Sequence, residues 1–302
     1  MSGPARADVK VGFACNNRCV FCAQGEKRGA CGVVPLETLA ARLVEVRGGT
    51  GGLVLTGGEP MLHKDLHRVV RLAARLGFHP IQIQTNGRLL RYPDRLDALI
   101  AAGATEVSPS LHGSTAAIHD GLTRAEGSWD DSVAGIRLAC ARGLVVVTNS
   151  VVTKQNAHDL PALVGLLASI GVRRAQLAFV HPVGTAELLF DEVVPRLSEV
   201  EPAVRAAREV ALAAGLALVT EGIPLCFLRG MEDLAVEASI PATTVVDLDG
   251  AALDYTRWRE AEGKAHGPPC EACSRRARCE GPWREVPAAF GWGDVVPFGP
   301  GE

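Results

Sequence analysis

Apolar strand-like runs and helical patterns alternate six times along this chain, and no other feature limits its fold as much. Residues 9–14, 53–56, 80–85, 105–110, 144–152 and 174–180 read as strands. Between them, 35–46, 66–76, 94–102, 130–141 and 159–170 carry helical patterns. Gly77, Gly103, Gly143 and Gly171 close four of these helices. Near-continuous apolar strands predict a parallel sheet buried on both faces beneath helices. Six units, where a closed barrel has eight, predict a partial barrel with functional groups at the strand ends.

The pattern changes after residue 180. One more helix is expected at 199–214 and a short strand at 216–220. From 221 onward Pro, Gly and Cys dominate, so 221–302 reads as a small loop-rich domain that needs a staple, following a barrel domain over 1–220. The formal net charge of −3 gives no reason to expect a nucleic-acid or anionic-membrane partner. The longest apolar stretch, 160–170, is broken by Pro161 and falls short of the ~18 residues a membrane helix needs. Residues 1–10 lack the apolar core of a secretory signal. A soluble, cytoplasmic protein is the expectation.

Nine cysteines stand at 15, 19, 22, 31, 140, 226, 270, 273 and 279. Clustered cysteines in a reducing compartment favour metal over disulfides, and an odd number cannot pair completely. Cys15-x3-Cys19-x2-Cys22 follows the first strand. Three thiolates in one loop can each take a different iron of a [4Fe–4S] cubane, leaving one iron open as a reaction site. A three-cysteine zinc site, or a structural cluster completed by a distant cysteine, are the alternatives. At the end of the second strand, Thr56-Gly57-Gly58-Glu59-Pro60 combines two residues that permit close backbone approach, a negative acceptor and a fixed turn.

The triad followed by this Gly-Gly-Glu-Pro segment resembles the radical S-adenosylmethionine (SAM) enzymes, over about residues 8–180. The resemblance implies a (β/α)6 partial barrel, in agreement with the six units. It implies that SAM chelates the open iron and is cleaved reductively to a 5′-deoxyadenosyl radical, which abstracts a hydrogen atom from a substrate. An electron donor such as flavodoxin or ferredoxin would be needed. Cys15, Cys19 and Cys22 would hold the cluster, and Gly57, Gly58 and Glu59 the SAM amino group. Phe21 would lie against adenine, with Thr85, Ser110 and Asn149 as supporting contacts. His112 stands where the family has an acidic residue, so its role is open.

Cys226 and Cys270-x2-Cys273-x5-Cys279 form a second set of four thiols. Four can fully ligate one [4Fe–4S] cluster or one zinc ion. The Cys-x2-Cys-x5-Cys portion resembles part of the SPASM extension of peptide-modifying radical SAM enzymes, in a shortened form with Trp283 at a position where a further cysteine is usual. This implies one auxiliary cluster, serving as electron conduit or staple. A peptide or protein substrate is the first expectation, a small-molecule metabolite the second, and a non-enzymatic iron–sulfur or zinc module the third. Cys31 reads as a loop cysteine and Cys140 as core. Lys154, His158 and His181 follow strands five and six, where substrate contact is conceivable but solvated loop positions are the default. Asp247, Asp249 and Asp254 read as solvated turn residues.

Overall fold

The computed structural model describes residues 5–25, 27–30 and 32–302. The strands are β1 Arg6–Lys10, β2 Gly52–Thr56, β3 Ile81–Thr85, β4 Glu106–Pro109, β5 Val145–Val152, β6 Arg174–Phe179, β7 Ala217–Glu221, β8 Thr243–Val246 and β9 Ala252–Asp254. They make one sheet in the order β7-β6-β5-β4-β3-β2-β1-β8-β9. β1 through β7 pair in parallel, with connecting helices between consecutive strands, as a partial barrel requires.

Three findings correct the sequence expectation. First, β1 begins three residues earlier than the apolar run and ends at Lys10. Residues 11–14 are occupied elsewhere: Val11 N–H donates to Thr56 O at 2.9 Å, and Gly12 bridges to Val33. Second, the sheet outgrows six strands. β8 adds in parallel to the free edge of β1, and β9 returns antiparallel to β8. The stretch 243–254, expected to be loop, thereby shares a sheet with residue 6. Third, most strands alternate in place of being apolar on both faces. β3 (IQIQT) and β6 (RAQLAF) bury every second residue.

The alternation has a simple consequence. Ala7, Val9, Leu53, Leu55, Ile81 and Ile83 are essentially fully buried, in one core with helix residues such as Leu39, Leu43, Val69 and Leu96. Each fully buried aliphatic side chain contributes about 1.5–3 kcal/mol. Strand partners share a face, so the opposite face collects Asp8, Gln82, Glu106, Gln176 and Glu221. These polar groups partly satisfy one another. Gln82 Nε2 donates to Glu106 Oε2 at 3.1 Å, and Gln176 Nε2 to Glu221 Oε2 at 2.6 Å. The inner face of the partial barrel, its chamber, is therefore lined by polar groups interspersed with Val54, Val145, Val147 and Val219. Among the described residues, no helix is long and apolar enough to cross a membrane.

Candidate functional site

Cys15, Cys19 and Cys22 lie in the loop that leaves β1 at its carboxyl end, all three half-buried. The loop is tied down through its backbone. Arg18 N–H donates to Thr123 O at 2.7 Å and Val20 N–H to Leu122 O at 3.0 Å. Arg88 Nη1 donates to Asn16 O at 2.9 Å, Arg28 Nη1 to Asn17 O at 2.9 Å, and Asn86 Nδ2 to Asn16 Oδ1 at 2.6 Å. Thr185 N–H, beyond β6, donates to Cys22 O at 3.0 Å. Sequence spacing carried no signal of these braces, because Arg88 and Asn16 are 72 residues apart.

The two glycines of the β2 loop have a visible job. Gly57 has φ +134°, and a Cβ there would stand 2.1 Å from Gly12 O. A Cβ on Gly58 would meet Phe13 O at 2.4 Å and Ala14 O at 2.5 Å. Their absence lets Gly58 N–H donate to Gly12 O and Glu59 N–H to Ala14 O, both at 2.8 Å. The Gly-Gly-Glu segment is thus zipped onto the residues that lead into Cys15.

Glu59 is 2% exposed, and its carboxylate faces inward. Oε1 accepts from Met61 N–H at 2.9 Å and from the Thr85 hydroxyl at 2.7 Å, and Oε2 accepts from Asn86 N–H at 2.6 Å. Burial raises its pKa, opposed by these hydrogen bonds. In this structure the Glu59 and Thr85 side chains join the β2 and β3 ends. Thr85 Oγ1 also accepts from Gly87 N–H at 3.1 Å.

Ser110 and Asn149 come together as a parallel bridge, with Ser110 N–H on Thr85 O at 2.9 Å. Asn149 Oδ1 is buried with no hydrogen-bond partner. A buried acceptor left unpaired costs about 1–3 kcal/mol unless a ligand completes it. Phe21 is buried edge-on against His112, ring centres 4.7 Å apart. His112 Nδ1 accepts from Val151 N–H at 3.2 Å, a hydrogen bond that ties the end of β4 to β5. Burial, with His119 adding to it, holds His112 well below the usual histidine range.

The thiols themselves fit a cationic cluster. Burial pushes Cys19 up to about 12, and the neighbouring Cys22 and Cys15 add to the rise. Burial also raises Cys15, against a hydrogen bond from Asn17 N–H at 3.4 Å to its sulfur. Thiols that disfavour one another's ionisation become a stable set once a positive metal centre stands between them.

The second cysteine set also assembles. Cys226, Cys270, Cys273 and Cys279 line one cavity together with Leu225, Gly281 and Trp292. Burial, with Cys279 and Cys270 adding to it, pushes Cys226 up to about 12. Backbone groups of Leu225 and Gly281 oppose the rise at Cys279. Among the described residues, no three His, Cys, Asp or Glu side chains converge closely enough to grip a single metal ion.

The remaining sequence candidates separate. Cys31 lies outside the described residues. Cys140 is half-buried at the core margin, with its sulfur beside Gly171. Lys154 is spent on Asp191 O at 2.7 Å, and His158 is exposed. Asp247 was expected to be a solvated turn residue; it pairs with Lys27 at 2.9 Å and Lys10 at 3.6 Å, next to the cysteine loop. Asp249 and Asp254 accept from backbone N–H groups of their own turns.

A parallel partial barrel that presents three braced thiols and a Gly-Gly loop at adjoining strand ends defines a cofactor-dependent enzyme scaffold. Residues 9–167 match the Radical SAM superfamily, and the chain belongs to that family. Its members use a [4Fe–4S] cluster and SAM and require a reductant. A probable GTP 3′,8-cyclase of Saccharolobus solfataricus is 33% identical over 186 residues, 61% of this chain and 59% of that protein. One from Methanopyrus kandleri is 34% identical over 181 residues, 59% of this chain and 56% of its own. The chain thus spans less than two thirds of the curated relatives it matches. Among solved structures, Streptococcus suis SuiB bound to SAM superposes with TM-score 0.68 at 16% identity, covering 93% of this chain and 73% of SuiB. The anSMEcpe enzyme with bound AdoMet superposes with TM-score 0.69 at 14% identity, covering 98% and 93%. These two likenesses establish the fold.

Proposed function

We propose that this protein is a radical SAM oxidoreductase that acts on a substrate held in the barrel chamber, with Cys15, Cys19 and Cys22 as ligands of the catalytic cluster. The observation that carries the reading is the zipping of Gly57–Glu59 onto residues 12–14, which lead into the triad. With cluster and SAM bound, such a site supplies a 5′-deoxyadenosyl radical for hydrogen abstraction. Around it this chain's residues position and exclude. Gly58 and Glu59 fix the thiol loop, Phe21 closes one side, and the unpaired Asn149 Oδ1 and the adjacent Ser110 offer SAM polar contacts. Cys226, Cys270, Cys273 and Cys279 would hold an auxiliary [4Fe–4S] cluster. Four thiols lining one cavity can fully ligate a cubane. Flavodoxin or ferredoxin is the reductant class we expect.

A peptide or protein substrate is the favoured reading. It is supported by the SPASM-like cysteine spacing and by a likeness, at TM-score 0.66, to SuiB bound to its precursor peptide SuiA. A small-molecule substrate is the second reading, supported by the identity to GTP 3′,8-cyclases. That identity covers about three fifths of the chain, and the barrel domain handles SAM whatever the substrate. The test is anaerobic incubation of reconstituted, reduced protein with SAM, followed for 5′-deoxyadenosine, first alone, then with GTP, then with short peptides encoded beside it. Formation of 5′-deoxyadenosine supports the class, and the compound that stimulates it names the substrate. An intact cluster with no 5′-deoxyadenosine under any condition overturns the enzyme assignment.

A further inference from the structure

A second group of ionisable side chains stands at the barrel mouth, away from the triad. His181 follows β6, and its ring stacks on Trp283 with centres 3.9 Å apart and planes 12° off parallel. Trp283 is 3% exposed and packs at the end of β7, where its Nε1 lies 2.9 Å from the place a Cβ on Gly222 would take. Lys264 Nζ stands 3.9 Å from the same indole, with its side chain fully enclosed. Lys264 and Trp283 are held in register by an antiparallel bridge. His181 Nε2 and Glu285 Oε2 face each other at 3.8 Å, and both atoms are buried with no hydrogen-bond partner. The His181 side chain as a whole keeps 19% exposure.

The geometry points to His181 as a further catalytic residue: the acid–base group of the substrate chamber, oriented by Glu285 behind it and by the Trp283 face beside it. This inference rests on the proposed function, because it needs a substrate in the chamber. With its proton on Nε2 toward Glu285, the neutral imidazole has a free lone pair on Nδ1. It takes the proton of an acidic O–H or N–H of the substrate. That bond breaks heterolytically, its electron pair stays on the substrate heteroatom, and the imidazolium formed is neutralised by Glu285. No electron changes hands. A gap of 3.8 Å is about 1 Å longer than a charge-assisted hydrogen bond, and catalytic contacts commonly tighten only when substrate is bound.

The charged groups around the pair set its resting state. Burial, with the Lys264 charge adding to it, holds His181 down to about 4, so at pH 7 it rests neutral and carries a proton only transiently, with Glu285 facing it. Burial raises Glu285, with Glu187 adding to the rise and Arg284 and Lys264 opposing it.

Two measurements on the reconstituted holoenzyme test the assignment. The first uses diethyl pyrocarbonate, which modifies neutral imidazole, with mass spectrometry to read His181. Its modification rate should stay within about 2-fold between pH 5 and 7.5, after correction for reagent decay, while free N-acetylhistidine slows about 30-fold. In K264M the His181 rate at pH 5 should fall relative to wild type, by less than that of N-acetylhistidine, because the Lys264 charge is the smaller of the two causes. A His181 that is unmodified, or that follows N-acetylhistidine, overturns the proposal without bearing on the radical chemistry. The second uses the peptide or nucleotide that stimulates 5′-deoxyadenosine formation. His181→Gln should retain 5′-deoxyadenosine within about 3-fold and lose product at least 30-fold, and Glu285→Gln should shift the pH profile of product formation. Unchanged product in His181→Gln overturns the catalytic role. A wild-type protein that forms no 5′-deoxyadenosine sinks the proposed function and leaves the first measurement to decide the state of His181.

Discussion

The Thr85 hydroxyl donates to Glu59 Oε1 at 2.7 Å, joining the carboxyl ends of β3 and β2 beneath the thiol loop. Removing it leaves a buried carboxylate short of one donor. Thr85→Ala should therefore cost about 1–3 kcal/mol of stability, and Thr85→Ser should restore most of it. Urea denaturation of the three proteins checks this, with iron content as a second readout because the same joint positions the triad.

Gly58 admits no side chain, since a Cβ would press on two carbonyl oxygens at 2.4 and 2.5 Å. Gly58→Ala should displace the loop and abolish cluster reconstitution. Gly49, with nothing within 4 Å of a Cβ, is the control. Gly49→Ala should reconstitute like wild type. Absorbance near 400 nm and iron analysis distinguish the two outcomes.

Asn149→Ala deletes an acceptor that no protein group uses. Stability of the SAM-free protein should hold or rise by up to about 1–3 kcal/mol as the unpaired acceptor is removed, while SAM affinity falls about 5–30-fold, the loss of one good hydrogen bond. Equilibrium dialysis with labelled SAM provides the measurement. Unchanged affinity would place Asn149 outside the SAM site.

Metal analysis separates the two thiol sets. Wild-type protein should carry about eight irons per chain after reconstitution. Cys226→Ala with Cys270→Ala should reduce this to about four while leaving SAM-dependent spectral changes at the first cluster. One zinc with about four irons in the wild type would instead identify the C-terminal site as a zinc staple.

Burial pins His119 at about 4, with the charges of Asp120 and Arg88 opposing each other as smaller effects. Such a histidine is neutral when folded and takes up a proton when unfolded. Its share of stability is present above pH ~6.5 and is lost as pH falls from there toward 4. At pH 5 the loss should be about 2 kcal/mol relative to pH 7.5. His119→Asn keeps an acceptor for His112 N–H, which now bonds His119 Nδ1 at 3.0 Å. Denaturation of that variant should show a correspondingly weaker pH dependence than wild type.

The cysteine loop and the Gly-Gly-Glu segment were legible because their chemistry is local: short fixed spacings, and glycines where a backbone must come close. The alternation of strands and helices was legible for the same reason. The misplaced start of β1 shows the limit. Arg6 and Asp8 read as polar, yet they belong to the strand because its inner face looks into a chamber and needs no apolar cover. β8 was missed because it is four residues long and its partner lies 237 residues away. Glu59 was found as a site residue, but its inward bonds to Thr85 and Asn86 depend on the crossing of separate strand ends, which no spacing reveals. His181 was left as a loop residue for want of the information that Trp283 and Glu285 fold back to meet it.

The seat of β8 on β1 bears on how the protein can be dissected. The strand that leads into the Cys15, Cys19 and Cys22 loop has its second neighbour at residues 243–246, far along the chain. A fragment cut at residue 220 would leave the β8-facing N–H and C=O groups of a short strand bare along one side, an adhesive border for other chains. Truncation intended to isolate the barrel would therefore be expected to yield aggregates, and loss of iron in such a fragment would say little about who ligates it.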